Sequence, residues 1–239
     1  MVLMKKTAIL IIEDEKDIIE LLQYNLEREG YSVLQTATAE DALHLLKKEL
    51  PDLIILDLML PGLDGLETCR LIKQETRTQY IPIIMLTAKS EESDVVVGLQ
   101  LGADDYVTKP FSPKVLIARI KTVLRRHQER RALIHPGEVR KIGQLSIDLS
   151  RHKVVYQNKS VSFTTMEFNI LEFLSRHPGR VFSRDQIMDQ VWKEGRFIVD
   201  RAVDVHIRGL RKKLKGASDL IETVWGVGYR LKDPDESDG

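Results

Sequence analysis

A chain of 239 residues is long for one compact domain and suits two, each large enough for its own core. Its 43% hydrophobic and 30% charged content fits an ordinary soluble globular protein. The single cysteine excludes a disulfide framework and a cysteine metal site, and the short apolar run before the first acids excludes a signal peptide or a membrane span, so a cytoplasmic protein is expected. The formal net charge of zero hides an asymmetry. Up to Arg126 there are 16 basic and 20 acidic residues, a net −4; from His127 onward there are 20 and 16, a net +4 that becomes +8 without the four acids of the tail "DPDESDG". An acidic half joined to a basic half implies separate partners, with the basic half a candidate for nucleic acid.

In chain order, "TAILII" predicts a first strand, followed by a helix from about Lys16 to Glu29 that Gly30 ends. "YSVLQT", a helix near Ala39 to Lys48, "LIILD", the loop "LMLPGLDG" and a helix from about Leu66 to Gln74 follow. Cys69 shares a helical face with Leu66 and Ile72, which predicts a buried structural thiol. "IPIIMLT", a helix from about Glu91 to Leu101, "DYVT" and a helix from Ser112 to Arg126 complete an alternation of strands and helices. Such an alternation predicts an α/β domain: a doubly wound, five-stranded parallel sheet covered on both faces, over residues 1–126.

The polar stretch 127–140 has no clear period and is expected to be a linker. Over 141–232, β-like runs "QLSID", "KVVYQ" and "SVSF" precede a helix capped by Thr164 with Glu167 as its capping box, a second capped by Ser183 and reaching Trp192, and a third from Asp200 to Lys215. "LIETVWGVGYRL" closes as a hairpin around Gly226 and Gly228. Together these predict a winged helix-turn-helix, with 233–239 an acidic disordered tail.

In an open parallel sheet, ligands bind beyond the carboxyl ends of the strands. The last residues of the predicted strands bring Glu13, Asp14, Asp57, Thr87 and Lys109 to one edge. Clustered carboxylates repel one another unless a cation sits among them, and a hard divalent ion such as Mg²⁺ suits oxygen ligands. Lys109 and Thr87 beside that ion make a cup for a phosphoryl group, and Asp57, ending a buried strand, is the best nucleophile for forming an aspartyl phosphate. Taken singly, Asp14 or Asp64 reads as a helix cap and Lys109-Pro110 as a turn. The joint placement on four strands is what favours a site.

The segments "IIEDE", "LIILDLMLPGLDG", "MLTAK" and "GADDYVTKPF" resemble the receiver domain of two-component response regulators. The second half, from "VSFTTMEFNILEFLSRHPGRVFSRDQIMDQVW" to "TVWGVGYRL", resembles the DNA-binding domain of the OmpR/PhoB subfamily. The resemblance implies that Asp57 accepts a phosphoryl group and that Asp14, Asp57 and the carbonyl of Met59 bind Mg²⁺, with Glu13 assisting through water. It further implies that Thr87 and Lys109 contact the phosphoryl group, that Tyr106 swings inward when Thr87 moves, and that Lys109-Pro110 is cis. It implies a sensor histidine kinase as donor, contact with RNA polymerase, and a regulator in place of a turnover enzyme.

Projected at about 100° per residue, the helix "DRAVDVHIRGLRKKLK" turns Val203, Ile207, Leu210 and Leu214 inward and Arg201, Val205, Arg208 and Lys212 outward. A charge run alone is more often a solvated face. Its place as third helix, before a glycine hairpin and in a basic half, points to a major-groove reader of double-stranded DNA. Arg201, Arg208 and Arg211 are candidates for base or phosphate contact, His206 and Lys212 for phosphate, and Arg230 for the wing. Gly209 and Trp225 depart from the best-known members, which carry arginines there; Trp225 is expected to pack under the hairpin.

For coupling, Val95 and Val115 are left outward on the last two helices of the first half. The resemblance implies that a homodimer forms on phosphorylation through this face, with Asp105 and Arg119 beside the valines, linking two DNA-binding domains on paired half-sites. Two rival classes stay open: an aspartyl-phosphate hydrolase using the same metal site, and a receiver wired to a protein or RNA partner.

Overall fold

The structure, a computed structural model, describes residues 6–88, 97–98, 101–133, 138–192 and 202–233. The chain divides into two compact units between His127 and Gln128.

The first unit runs β1 (Ala8–Ile12), α1 (Lys16–Arg28), β2 (Ser32–Thr36), α2 (Ala39–Lys48), β3 (Leu53–Asp57), α3 (Gly65–Gln74), β4 (Ile83–Ala88), β5 (Asp105–Lys109) and α4 (Pro113–Leu133). All strand pairs are parallel, in the order β2-β1-β3-β4-β5. Every residue of β1 and β3 is buried, which the unbroken apolar runs dictate. Alternate residues divide between two cores because side chains alternate across a strand. Leu10, Ile12, Ile54, Leu56, Ile83 and Met85 meet α2 and α3 on one face, where Cys69 is fully buried. Ile9, Ile11, Leu53, Ile55, Ile84 and Leu86 meet Leu22 and Leu26 of α1 and Leu116 and Ile120 of α4 on the other. The helix expected from Glu91 to Leu101 lies outside the described residues apart from Val97, Gly98 and Leu101, which are helical. Helix α4 continues past the expected end at Arg126 to Leu133. No glycine or proline interrupts the chain between Lys114 and His135, so nothing local stops it.

The second unit contains β6 (Val139–Ile142), β7 (Leu145–Asp148), β8 (Lys153–Tyr156), β9 (Lys159–Val161), α5 (Thr165–Ser175), β10 (Phe182–Ser183), α6 (Arg184–Trp192), α7 (Ala202–Leu214), a 3-10 turn (Lys215–Leu220), β11 (Ile221–Val224) and β12 (Gly228–Leu231). Strands β6 to β9 form an antiparallel sheet in sequence order, and β10-β12-β11 form the hairpin sheet. β6 begins at Val139, two residues inside the stretch expected to be a linker, because Leu145–Asp148 supplies the pairing that Arg140 and Lys141 mask in the local pattern. Between β8 and β9, Gln157 and Asn158 both take positive φ (48° and 63°), as a two-residue hairpin turn of the right twist requires. Thr164 and Glu167 complete the expected capping box. Ser183 and Gln186 make an equivalent pair at the start of α6, with bonds of 3.1 and 2.9 Å.

Candidate functional site

The strand order places β1 and β3 side by side while their connections run to opposite faces, and a crevice opens at that point beyond their carboxyl ends. Glu13 follows β1 and is fully buried, Asp57 ends β3 and is 1% exposed, and Asp14 is exposed at the rim. One carboxylate oxygen from each lies within 4.8 Å of the others. Lys109, at the end of β5, reaches across to all this charge: its Nζ is 2.9 Å from Glu13 Oε2, 3.2 Å from Asp57 Oδ2 and 3.3 Å from Glu15 Oε1. Sequence reasoning placed Glu15 among the acids without giving it this contact.

The electrostatics follow from the burial. Desolvation, reinforced by the neighbouring Asp57 carboxylate, pushes the Glu13 carboxyl above its usual range although Lys109 pulls the other way. Burial alone would depress the Lys109 ammonium, but Glu13 and Asp57 more than offset this and hold it above its ordinary value. Asp57 Oδ1 is buried with no hydrogen-bond partner. An acceptor in that state is costly in a folded protein unless something else satisfies it. The donor set is therefore one a hard, oxygen-seeking divalent cation fits.

The backbone of Leu58, next to Asp57, is held from two sides. Leu58 N–H donates to Leu86 O at 3.0 Å, and Gly65 N–H donates to Leu58 O at 3.1 Å. A Cβ on Gly65 would overlap the Asp57 carbonyl oxygen, so only glycine lets α3 start this close to the strand end. That constraint is invisible until β3 and α3 are placed. Met59, whose carbonyl was expected to be a ligand, has a side chain 73% exposed. Thr87 is buried one residue beyond Leu86, the β4 partner of Asp57. Tyr106 is partly buried against the core that contains Met85, its β4 partner. The Lys109-Pro110 bond is cis.

On the expected dimer face, Val115 is 48% exposed and Arg119 donates to both oxygens of Asp105 at 2.9 and 2.8 Å within the chain. Val95 lies outside the described residues. A second charged pair, not anticipated from sequence, is fully internal: Lys73 Nζ is 3.1 Å from Asp104 Oδ2 and donates to Ile81 O at 2.8 Å.

In the second unit, Arg208 and Lys212 are exposed on α7, and Arg201 lies outside the described residues. Three expectations need correction. His206 is 1% exposed and its ring lies 5.6 Å from that of Trp192, so it is a core residue and not a phosphate contact. Val205, expected outward, is also buried. Helix α7 packs against both α5 and α6, which widens its buried arc beyond a single apolar stripe. Trp225, expected beneath the hairpin, is instead 90% exposed at its tip.

Arg211 and Arg230 are engaged within the protein. The Arg211 guanidinium donates to Ile221 O at 3.0 and 2.6 Å and to Thr223 Oγ1 at 2.8 Å, tying α7 to β11. Arg230 pairs with its cross-strand neighbour Glu222 at 2.6 Å. Gly209 also gains a reason: a Cβ there would overlap Oε1 of Glu167, whose other oxygen caps α5 and accepts from Lys213 at 2.5 Å.

Comparison with known proteins agrees with this anatomy. The profile of the response regulator receiver domain matches residues 9–121, and that of the C-terminal domain of transcriptional regulatory proteins matches 158–231. The chain is 45% identical over 228 residues to the phosphate regulon transcriptional regulatory protein PhoB of Klebsiella pneumoniae, covering 93% of this chain and 96% of that one. It is 43% identical over 238 residues to the alkaline phosphatase synthesis transcriptional regulatory protein PhoP of Bacillus subtilis (95% and 97% covered). Among solved structures, a RitR variant superposes with a TM-score of 0.80 at 27% identity, over 95% of this chain and 99% of that one. The chain belongs to the OmpR/PhoB subfamily of two-component response regulators, phosphorylation-dependent transcriptional regulators that pair a receiver with a DNA-binding domain and work with a histidine kinase and DNA.

Proposed function

We propose that Asp57 is the phosphoacceptor and that Glu13, Asp14, Asp57 and the Met59 carbonyl hold Mg²⁺ beside it. The observation that carries this is the buried, unpartnered Oδ1 of Asp57 next to a lysine and within 4.8 Å of two further carboxylates. Receiver domains take Mg²⁺ in an acidic pocket, and this cluster is of that kind. When bound, the ion neutralises charge on the phosphoryl oxygens. An Asp57 carboxylate oxygen attacks the phosphorus of a phosphohistidine on the kinase. The P–N bond breaks, and the imidazole nitrogen keeps the electron pair and takes a proton. Lys109 gives its ammonium to the phosphoryl oxygens, and the Thr87 hydroxyl binds another of them. Turnover stops at the protein's own carboxylate, apart from slow hydrolysis of the acyl phosphate.

Thr87 moving toward the phosphoryl group leaves room for Tyr106 to turn inward, which reshapes the face carrying Val95, Asp105, Val115 and Arg119. Dimerisation through that face places two winged helices on paired half-sites, where effective concentration raises affinity. Arg208 and Lys212, with Arg201, contact DNA; RNA polymerase is a further partner at the promoter. A cytoplasmic setting follows from those partners, and among the described residues no helix is long and apolar enough to cross a membrane.

The experiment is incubation with acetyl phosphate and Mg²⁺ followed by intact mass and DNA-binding measurements. The wild type gains one phosphoryl group and binds DNA more tightly, while Asp57→Asn does neither. An Asp57→Asn protein that still gains the group would overturn the assignment.

A further inference from the structure

A cavity of about 400 Å³ lies between α2 and α3, on the face of the sheet that carries Cys69. That volume is within the range of small-molecule sites. Its walls are aliphatic: Leu46 and Ile72, 4% and 1% exposed, belong to the core beneath, and half-buried Leu43 and Leu71 flank them. No described aromatic residue lines it. Charge is confined to the rim, where Lys47, Glu75 and Arg77 are exposed. The turn that carries the last two is fastened on both sides, because Thr78 Oγ1 donates to Ile72 O at 2.7 Å and the Arg77 guanidinium donates to Lys47 O at 3.0 Å. The second bond serves the end of α2, where a helix leaves carbonyls without internal partners. It gives Arg77 a structural reason but occupies one of five N–H donors. Among the described residues no carboxylate forms an ion pair with Lys47 or Arg77.

We propose that this cavity binds a medium-chain alkyl carboxylate, its tail among the four aliphatic side chains and its carboxylate held by Lys47 and Arg77. Two cations against one acid at the rim select an anion, and a carboxylate accepts from both. Leucine and isoleucine walls favour a flexible alkyl tail over a flat ring, which gains most by stacking on another ring. A small molecule is favoured over a protein because the lining of α2, from Leu43 to Lys47, covers one helical turn of about 6 Å, whereas a stable protein interface takes roughly 800 Å² from each partner. Glu75 opposes the ligand's charge and sets a limit on its affinity. Neither Asp57 nor α7 takes part, so the inference stands apart from phosphoryl transfer and DNA binding.

The test titrates the full-length protein with octanoate and follows backbone amide NMR shifts and thermal melts. Saturable shifts at Leu43, Lys47, Leu71 and Arg77 are expected, with a Tm that rises as octanoate is added. Octylammonium, the same tail with the opposite charge, is expected to bind at least about tenfold more weakly. Lys47→Ala should weaken octanoate about tenfold, whereas Glu75→Gln should tighten it roughly threefold, an effect that a purely apolar trough would not show. Leu43→Trp fills the cavity and should abolish the shifts; Lys47→Glu, at an exposed position, should abolish them without crowding the core. Absence of saturable shifts at millimolar octanoate overturns the proposal, and a cavity kept for a protein partner gives that result. Equal affinity for octanoate and octylammonium overturns the carboxylate, and tighter binding of 1-naphthaleneacetate than of octanoate overturns the alkyl tail.

Discussion

Lys109 Nζ lies 3.2 Å from Oδ2 of Asp57, on a carboxylate whose other oxygen is buried without a hydrogen-bond partner. The ammonium also pairs with Glu13 and Glu15, so it sits among three carboxylates. Its folded-state pKa is raised above 10.5, so its stabilising contribution is fully present below about pH 10.5 and is lost as pH rises through the folded value. Lys109→Met should lower stability at neutral pH by about 2 kcal/mol, less than for a fully buried pair. It should also flatten the alkaline limb and enlarge the gain in Tm from Mg²⁺. Thermal melts across pH, with and without the ion, check all three.

Glu13 has the same sign in an acidic window. Its folded pKa is raised above 4.5 by burial and by Asp57, so between those values the folded chain holds a proton that the unfolded chain has lost. Metal-free stability therefore falls as pH rises through that window, while Mg²⁺ affinity climbs. Glu13→Gln should remove both slopes, as calorimetric titration at several pH values would reveal.

Asp104 is held below its ordinary pKa. Burial alone would raise it, but Lys73, His127 and the Ile83 N–H outweigh that. Its contribution is present above pH 3.8 and is lost as pH falls through the folded value. Lys73→Met strands a buried carboxylate and should cost about 3–5 kcal/mol in urea unfolding. Adding Asp104→Asn should return much of that loss; additive losses would mean the two residues do not act as a pair.

Gly209 keeps its place for the sake of Glu167. Gly209→Ala should destabilise the second unit by about 1 kcal/mol through the disturbed cap. In a Glu167→Ala background the sign should reverse, since alanine then gains up to about 1 kcal/mol in a helix interior. The same sign in both backgrounds would place the constraint elsewhere.

Arg208 and Arg211 sit three residues apart on α7 but differ in surroundings: Arg208 is exposed, while Arg211 is bonded to β11. Arg208→Ala should weaken DNA binding and reduce its salt slope by about 1 with little change in Tm. Arg211→Ala should lower the unfolding midpoint, because it releases the bonds to Ile221 and Thr223. Equal effects of both on the salt slope would make Arg211 a phosphate contact after all.

Dimerisation should depend on Val115 more than on ion pairs, because Asp105 and Arg119 already satisfy each other within the chain. Val115→Asp should weaken the phosphorylated dimer about tenfold, roughly the 1.4 kcal/mol of a buried apolar contact. Sedimentation of the wild type should change little with salt; steep dissociation would assign the interface to charges instead.

The linear order of residues was enough to bring the candidate site's residues together. Parallel strands put successive carboxyl ends on one edge, so strands ending in Asp57, in Lys109, or just before Glu13 converge in any folding of that pattern. The caps at Thr164 and Ser183 were legible for a similar reason, since they act over three residues. Tertiary structure alone decided what depends on partners far along the chain. Lys73 finds Asp104 31 positions away, His206 is enclosed because two helices flank α7, and Gly65 and Gly209 are fixed by atoms of Asp57 and Glu167. Trp225 belongs with these, because local pattern records that a residue is apolar, while only the packing of the whole unit decides whether anything is left to cover it.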